Sequence, residues 1–297
     1  MIKVSYYHSL IFFNFCIFIS AFEYLRTNSM LIVSLLLILS IGISHGSLDH
    51  IKGKKLLKIY GIKSSSIFYL GYIIIGLITI FIWFLFPKFL LLLFLIVAAF
   101  HFGKEDSQFI RTNKNFELIY FLKGSLVIIA PLIFHKDETL SIFKSLNFDI
   151  STNILINSEI LYLLIFLSLF SNIILSLNKS FETKSLLLMD FLSLIILNYF
   201  LNPILAFTIY FCFLHSIRHS ISLIKEININ LKKGLPIFIK KALPLTITTI
   251  FGYLLALYFL NNFNDINESI YKVIFIGLAS LTFPHILLEY LIEKNEQ

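Results

Sequence analysis

Residues 31–50 read "LIVSLLLILSIGISHGSLDH", an apolar run that ends in two histidines, an aspartate and two glycines. A helix of about 20 apolar residues is long enough to cross a hydrocarbon layer about 30 Å thick. Charged and imidazole side chains are costly in such a layer, and where they occur they mark functional sites. The stretch therefore predicts a transmembrane helix whose last turns begin a functional site.

The same kind of apolar run recurs along the whole chain. The 297 residues are 58% hydrophobic and 14% charged, whereas about 25% of the residues of a soluble protein are charged. Runs of sufficient length give ten candidate spans, at residues 9–22, 29–49, 66–87, 89–103, 115–134, 155–177, 184–201, 203–224, 236–260 and 270–292. Because three of these are short, we expect an all-α, polytopic membrane bundle of about eight to ten transmembrane helices in a single domain over residues 1–297.

The basic residues indicate the orientation of the chain. A net charge of +7 is compatible with a nucleic-acid or acidic partner. Lysine and arginine, however, fall mostly in connections on one side of the membrane, such as Lys52 and Lys54 after the second span and Arg111 and Lys114 after the fourth. The positive-inside rule places that side in the cytoplasm. We therefore expect a multi-pass protein of the inner (plasma) membrane with both termini cytoplasmic, and no nucleic-acid partner.

Six of the eight histidines fall in four short clusters, "HGSLDH", "HFGKED", "HSIRH" and "PHILLE". In this orientation the clusters lie on spans that run from outside to inside, and each lies in the later half of its span. The other two histidines, His8 and His135, stand at span edges and fit ordinary interfacial positions. The sequence therefore predicts one site in the cytoplasmic half of the membrane.

The spacing within the clusters is typical of metal ligation. His215 and His219 are four residues apart, so they share one face of a helix and can offer two imidazoles to one ion. A pair of this kind is weak evidence alone, but His45 and His101 lie at matched depth on other spans. These four histidines are the candidate metal ligands.

Acidic residues follow histidines at a similar step in three clusters. Asp49 follows His45, Glu105 and Asp106 follow His101, and Glu289 follows His285. A ligating histidine usually donates its other ring N–H to a carboxylate or carbonyl, which fixes the tautomer and the ring orientation. We expect these acids to support the ligands in this way. The alternative is that they mark the membrane surface or pair with Lys104 or Arg218.

The type of ligand limits the metal and the class of protein. Imidazole suits zinc, copper, iron and nickel, and no thiolate occurs in the clusters. An all-histidine set is compatible with ferrous iron and O₂ chemistry, while zinc, copper and haem remain open. A membrane di-iron desaturase or hydroxylase would need denser histidine boxes with adjacent histidines, which the sequence lacks. A metal or proton transporter would use histidines near the midplane, typically with internal repeats, and the sequence shows none.

The segments "GISHGSLDH", "HFGKED", "YFCFLHSIRHS" and "VIFIGLASLTFPHILLEY", in this order, resemble the Brp/Blh family of membrane β-carotene 15,15′-dioxygenases. The resemblance implies an all-helical catalytic domain that cleaves the central double bond of β-carotene with O₂ and non-haem Fe²⁺. It also implies that the product, all-trans-retinal, supplies a microbial rhodopsin. By motif, the iron ligands implied are His45, His101, His215 and His219.

Further residues of these motifs are expected near the site. His50 ranks below His45 in the first motif, and His285 fits a position near the site or a reserve ligand. Arg218 and Glu289 are the remaining residues expected near the site. Because the implied substrate, dissolved in the lipid bilayer, has no polar handle, it needs an apolar tunnel, for which aromatic candidates are Phe100, Phe102, Tyr210, Phe211, Phe213 and Phe283.

Overall fold

A computed structural model describes residues 2–22, 25, 30–110, 116–148 and 157–296. The backbone of His45 belongs to this description, but its side chain lies outside it. The basic residues Arg111 and Lys114 and the expected span ends at 115 and 155 also lie outside the described residues.

Helices are the regular secondary structure of the described residues, which include no strand. The α-helices are α1 (Ile2–Ser20), α2 (Leu31–Ser40), α3 (Asp49–Ile59), α4 (Ser66–Leu85), α5 (Pro87–Glu105), α6 (Glu117–Phe134), α7 (Lys136–Ser145), α8 (Ser158–Ser176), α9 (Phe181–Phe200), α10 (Pro203–Ile209), α11 (Ile217–Ile227), α12 (Leu231–Leu260) and α13 (Ile266–Glu296). A 3-10 segment, Gly42–Leu48, joins α2 to α3, and a π-helical segment, Tyr210–Ser216, joins α10 to α11.

Ten helical segments in the described part of the chain are long and apolar enough to cross a membrane. They match the ten candidate spans in order, and two of them, Leu31–Ile59 and Pro203–Ile227, run through the 3-10 and π segments respectively. Inside a bilayer every backbone N–H and C=O must be bonded within the protein, and a helix satisfies this locally. The prediction of an all-α polytopic membrane protein is confirmed.

The first helix begins earlier than the sequence predicted. It starts at Ile2 rather than at residue 9, so His8 lies within the helix instead of at a span edge. The Nε2–H of His8 donates to the backbone oxygen of Phe213 at 2.9 Å. The expectation of an edge position was therefore wrong, and the polar side chain of His8 is accommodated by its hydrogen bond to the π segment.

The outer surface of the bundle is apolar. Of the 20 residues of α4, only Thr79 and Trp83 are buried, while Leu77, Phe81 and Phe84 are among its exposed side chains. A continuous apolar surface of this kind is untenable in water but is what lipid chains solvate. These helices lie at the lipid boundary, and the polar residues collect inside.

Two glycines bring α5 and α6 into backbone contact. A Cβ atom at Gly103 would lie 1.8 Å from the backbone oxygen of Tyr120, and one at Gly124 would lie 1.9 Å from that of Ala99. Small residues at such crossings let membrane helices approach closely. The contact fixes the end of α5, which carries His101 and the acids after it, against the buried Lys123 of α6.

Replacing Gly124 with leucine is expected to separate α5 from α6 and to lower the stability of the bundle. Overpacking of a tight contact costs about 1–3 kcal/mol, so the melting temperature of the detergent-solubilised protein should fall by several degrees. Gly252→Leu is the matched control, because Gly252 is exposed and a Cβ there would have no neighbour within 4 Å. Equal melting temperatures for the two variants would contradict this view of the contact.

Candidate metal centre

Four buried histidines from separate parts of the chain converge in the bundle. His101 lies near the end of α5, His215 in the π segment, His219 in α11 and His285 in α13. The ring centroid of His101 is 5.3 Å from that of His215 and 5.2 Å from that of His285. The rings of His219 and His285 are 6.0 Å apart, and all three pairs meet edge to face.

Three of these histidines are each held by a carboxylate. His215 Nδ1 lies 3.1 Å from Asp106 Oδ1, and His219 Nδ1 lies 2.6 Å from Glu105 Oε2. His285 Nδ1 lies 2.9 Å from Asp49 Oδ2 and 3.0 Å from Asp49 Oδ1. A carboxylate only accepts hydrogen bonds, so Nδ1–H is the donor in each pair. Nε2, on the other side of each ring, is then the nitrogen that would bind a metal.

The pairing crosses between helices. The sequence spacing predicted that Glu105 would support His101 in the same helix, but Glu105 accepts the hydrogen bond from His219 of α11. Asp106, one residue further, binds His215. Since Glu105 and Asp106 are adjacent, they extend in different directions and reach two histidines that are four residues apart. One end of α5 thereby positions two imidazoles of a neighbouring span.

The π segment explains how Tyr210 and His215 reach the same acid. Tyr210 Oη donates to Asp106 Oδ2 at 2.7 Å, while His215 binds the other carboxylate oxygen. Residues five apart point in different directions in an α-helix, but the wider turn of a π-helix, with its i→i+5 bonds, brings them to one face. Tyr210 was expected to line a tunnel, and the structure instead gives it this hydrogen bond.

The Asp106 carboxylate is stabilised from several sides. Lys123 Nζ donates to the backbone oxygen of Asp106 at 2.9 Å and to Ser107 Oγ at 2.8 Å. Burial by itself would raise the pKa of the Asp106 carboxyl, which follows the membrane span. His215, Arg218 and Lys123 nevertheless hold that pKa well below its ordinary value. Asp106 is therefore ionised and can orient the imidazole of His215.

Asp49 and Glu289 lie on the other side of the histidines. Tyr72 Oη donates to Asp49 Oδ2 at 2.8 Å, and Lys52 forms an ion pair with Glu289. A carboxylate oxygen of Asp49, a ring nitrogen of His285 and a carboxylate oxygen of Glu289 all lie within 4.8 Å of one another. Glu289 is thus close to the site, as predicted, but its ion pair is with Lys52.

Arg218 lies beside the site and not within the group of histidine rings. Its guanidinium forms a two-pronged ion pair with Asp190, at 2.6 and 2.9 Å, and also donates to Ser9 Oγ at 2.7 Å. Arg218 was predicted near the site from its motif, but Asp190 and Lys123 were not among the predicted site residues. Both are charged residues within predicted spans, and that property alone would have identified them. Tyr72 carried no comparable signal.

The first motif reaches the site through its backbone. The 3-10 segment Gly42–Leu48 packs on the π segment, and Ser216 Oγ donates to the backbone oxygen of Gly42 at 3.0 Å. His50, at the start of α3, hydrogen-bonds through Nδ1 to the backbone oxygen of Ser47 at 2.9 Å and stacks on Tyr69. His50 also lines the cavity beside the site, and among the described residues its hydrogen bond is to a backbone oxygen and not to a carboxylate.

Three ring-to-ring distances in the histidine group are compatible with a shared first-row metal ion. Imidazole nitrogens lie about 2.0–2.1 Å from such an ion, so rings that share one ion at near-tetrahedral angles have centroids about 5 Å apart. The separations of 5.2, 5.3 and 6.0 Å are close to this value. Among the described residues, the group whose ligand atoms all lie within 4.8 Å of one another is Asp49, His285 and Glu289. A divalent cation would also offset the charge of the three carboxylates that surround the rings.

An apolar cavity of about 340 Å³ opens from the histidines. Its inner end is formed by His101 and His285, and it passes the stacked rings of Phe207, Phe211 and Phe275. The ten residues from His285 back to Phe275 correspond to about 15 Å along a helix. The cavity therefore follows this length of α13, and its lining also includes Thr139, Thr246 and Thr248.

Comparison with known proteins gives one consistent result. The sequence model of a family described as "Beta-carotene 15,15'-dioxygenase" matches residues 36–293. A relative named beta-carotene 15,15'-dioxygenase, from the uncultured marine bacterium 66A03, is 29% identical over 263 residues, which covers 86% of this chain and 91% of the relative. No solved structure matches the chain.

Replacing Glu105 with glutamine is expected to weaken metal binding about 10–100-fold, the usual effect of losing a hydrogen-bonded carboxylate behind a ligand. The dissociation constant can be measured by competition with a chelator in detergent. Glu293→Gln is the matched control, since Glu293 is an exposed acid whose ion pair with Lys104 lies at 2.5 Å. Unchanged affinity in Glu105→Gln would show that the His219–Glu105 bond does not support a ligand.

Proposed function

The chain belongs to the β-carotene 15,15′-dioxygenase family, and we propose that it cleaves the central double bond of β-carotene with O₂ to give two molecules of all-trans-retinal. The observation that carries the proposal is the group of carboxylate-held histidines at the inner end of an apolar, membrane-embedded cavity. Family membership argues against the desaturase and transporter alternatives. We propose that residues 1–297 form a single catalytic domain.

We propose Fe²⁺ as the metal, held by His45, His101, His215 and His219. Imidazole donors without thiolate suit iron in O₂ chemistry. The 5.3 Å between the rings of His101 and His215 supports a shared ion, and the adjacent acids Asp106 and Glu105 hold His215 and His219 on the same side of the bundle. The assignment of His45 rests on its motif and on the packing of the 3-10 segment against the π segment. When bound, Fe²⁺ supplies the electron transfer that lets O₂ react with a polyene.

The reaction balances without an external reductant. The central C=C bond breaks, and each of its two carbons receives one atom of O₂ and becomes an aldehyde. No net proton is taken up or released. The protein therefore has no need of an acid or base to complete the stoichiometry, and its residues serve to orient the imidazoles, exclude water and position the polyene.

The cavity provides the positioning. Burying apolar surface from water yields roughly 25 cal/mol per Å², but the substrate is already dissolved in lipid, so shape decides where it binds. The walls near the lipid boundary come from α4 and α12, where Ile73 and Thr248 line the cavity and are also exposed on the outside of the bundle. We propose that β-carotene enters from the bilayer between these two helices.

We also propose an orientation of the protein in the membrane and an acceptor for its product. If all ten candidate helices cross the membrane, as we propose, both termini lie on the same side. The distribution of lysine and arginine favours the cytoplasm for that side, in a cell whose inner membrane holds the protein. The histidine site then lies in the cytoplasmic half. Retinal is an aldehyde that condenses with a lysine amine in rhodopsins, so a microbial rhodopsin is the proposed acceptor.

Expression in a bacterium that accumulates β-carotene is expected to produce retinal and bleach the cells. Extracted pigments are separated by chromatography, and membrane insertion is verified by an epitope tag. His101→Ala should abolish retinal formation, whereas His135→Ala, at a histidine outside the group, should not. Intact β-carotene with no retinal, from wild-type protein that is correctly inserted, would refute the proposed activity.

Filling the cavity should block the substrate without removing the metal. Thr246 is buried and lines the cavity, so Thr246→Trp is expected to lower the rate of retinal formation at least about 10-fold through lost positioning. Its neighbour Ile247 is exposed to lipid and does not line the cavity, which makes Ile247→Trp the control. Iron content should be equal in both variants. Equal rates would mean that this cavity does not bind the substrate.

A further inference from the structure

The imidazole of His285 occupies the same group of rings as the expected ligands. Its centroid is 5.2 Å from that of His101 and 6.0 Å from that of His219, and the distance between the expected ligands His101 and His215 is 5.3 Å. His285 is as deeply buried as these residues. Its position is compatible with binding the same ion, and one of its ring nitrogens lies within 4.8 Å of oxygens of Asp49 and Glu289.

The hydrogen bonds of His285 repeat an arrangement found elsewhere in the site. His215 and the hydroxyl of Tyr210 bind the two oxygens of Asp106. His285 and the hydroxyl of Tyr72 likewise bind the carboxylate of Asp49. The two tyrosine–aspartate–histidine sets come from different helices and have no sequence relation.

A carboxylate that receives Nδ1–H fixes the imidazole in the tautomer whose Nε2 carries a lone pair. The tyrosine hydroxyl restrains the carboxylate in turn, so each set holds its ring rigidly. Repetition of the set on both sides of His101 indicates that both rings, His215 and His285, are prepared for the same task.

The two acids beside His285 have different partners. Glu289 is engaged in an ion pair with Lys52. Asp49 is hydrogen-bonded to Nδ1 of His285, so it is the acid that orients this ring.

We propose that His285 is a direct ligand of the same metal ion, with Asp49 and Tyr72 as its positioning residues. The inference rests on the proposed function, whose metal site it extends from four imidazoles to five. It assigns to α13 a part in binding the ion, so that helices α5, α11 and α13 are joined through the metal.

Binding of cobalt(II) to the purified full-length protein tests the proposal. Co(II) is titrated into metal-free protein in detergent, and its visible absorption and dissociation constant are measured. His285→Ala is expected to weaken binding by more than about 100-fold, beyond the 10–100-fold effect of a lost supporting group, and to change the absorption spectrum. Added imidazole should restore the wild-type spectrum, since it can replace a missing ligand but not a missing packing contact.

Further variants separate the possible outcomes. His135→Ala, a histidine outside the group, should retain the wild-type affinity and spectrum, and His285→Gln serves if the alanine variant does not fold. Tyr72→Phe should weaken binding less than His285→Ala and leave the spectrum unchanged. A His285 variant that folds and binds Co(II) with wild-type affinity and spectrum overturns the proposal, even if it forms no retinal. A wild-type protein that binds no metal or forms no retinal would instead refute the proposed function.

Discussion

The hydrogen bonds between buried carboxylates and imidazoles are the interactions on which the rest of the structure depends. Asp49, Glu105 and Asp106 are buried in a membrane bundle, where an unpaired charge is very costly. Removing one partner of a buried pair typically costs about 3–5 kcal/mol. Each acid therefore requires its histidine, and each histidine is fixed by its acid, so the geometry of the site and the stability of the bundle are coupled.

The helices are interrupted at the segments that bring these acids and histidines together. The π segment turns Tyr210 and His215 toward the same carboxylate, and the 3-10 segment brings the first motif against it. Gly103 and Gly124 let α5 approach α6 until Lys123 reaches the Asp106 backbone. Regular helices with ordinary spacing would not place these groups together.

The polar site and the apolar cavity have different roles in the proposed reaction. The hydrocarbon substrate offers no hydrogen bond, so its position is set by the shape of the cavity and by the aromatic rings along it. The proposed metal ligands are instead oriented by hydrogen bonds to buried carboxylates.

Much of this protein follows from its sequence. The length and apolarity of the spans determine an all-α membrane bundle, because lipid forces each backbone segment to satisfy its own hydrogen bonds. The spacing and matched depth of the motifs predict that His101, His215 and His219 lie close together, and the rarity of charge in membranes predicts that Glu105 and Asp106 belong to the same site. Spacing within one helix, however, predicted the wrong partner for Glu105.

Only the tertiary structure decided the partners across helices. Glu105 binds His219, Asp49 binds His285, and Arg218 binds Asp190, over separations in the chain that no local periodicity encodes. The reason is physical: a helix period relates residues three or four apart, whereas these contacts depend on how whole spans pack and where the π segment shifts the register. The sequence alone determined which residues are costly to bury in lipid, and the packing of the spans determined which partner stabilises each of them.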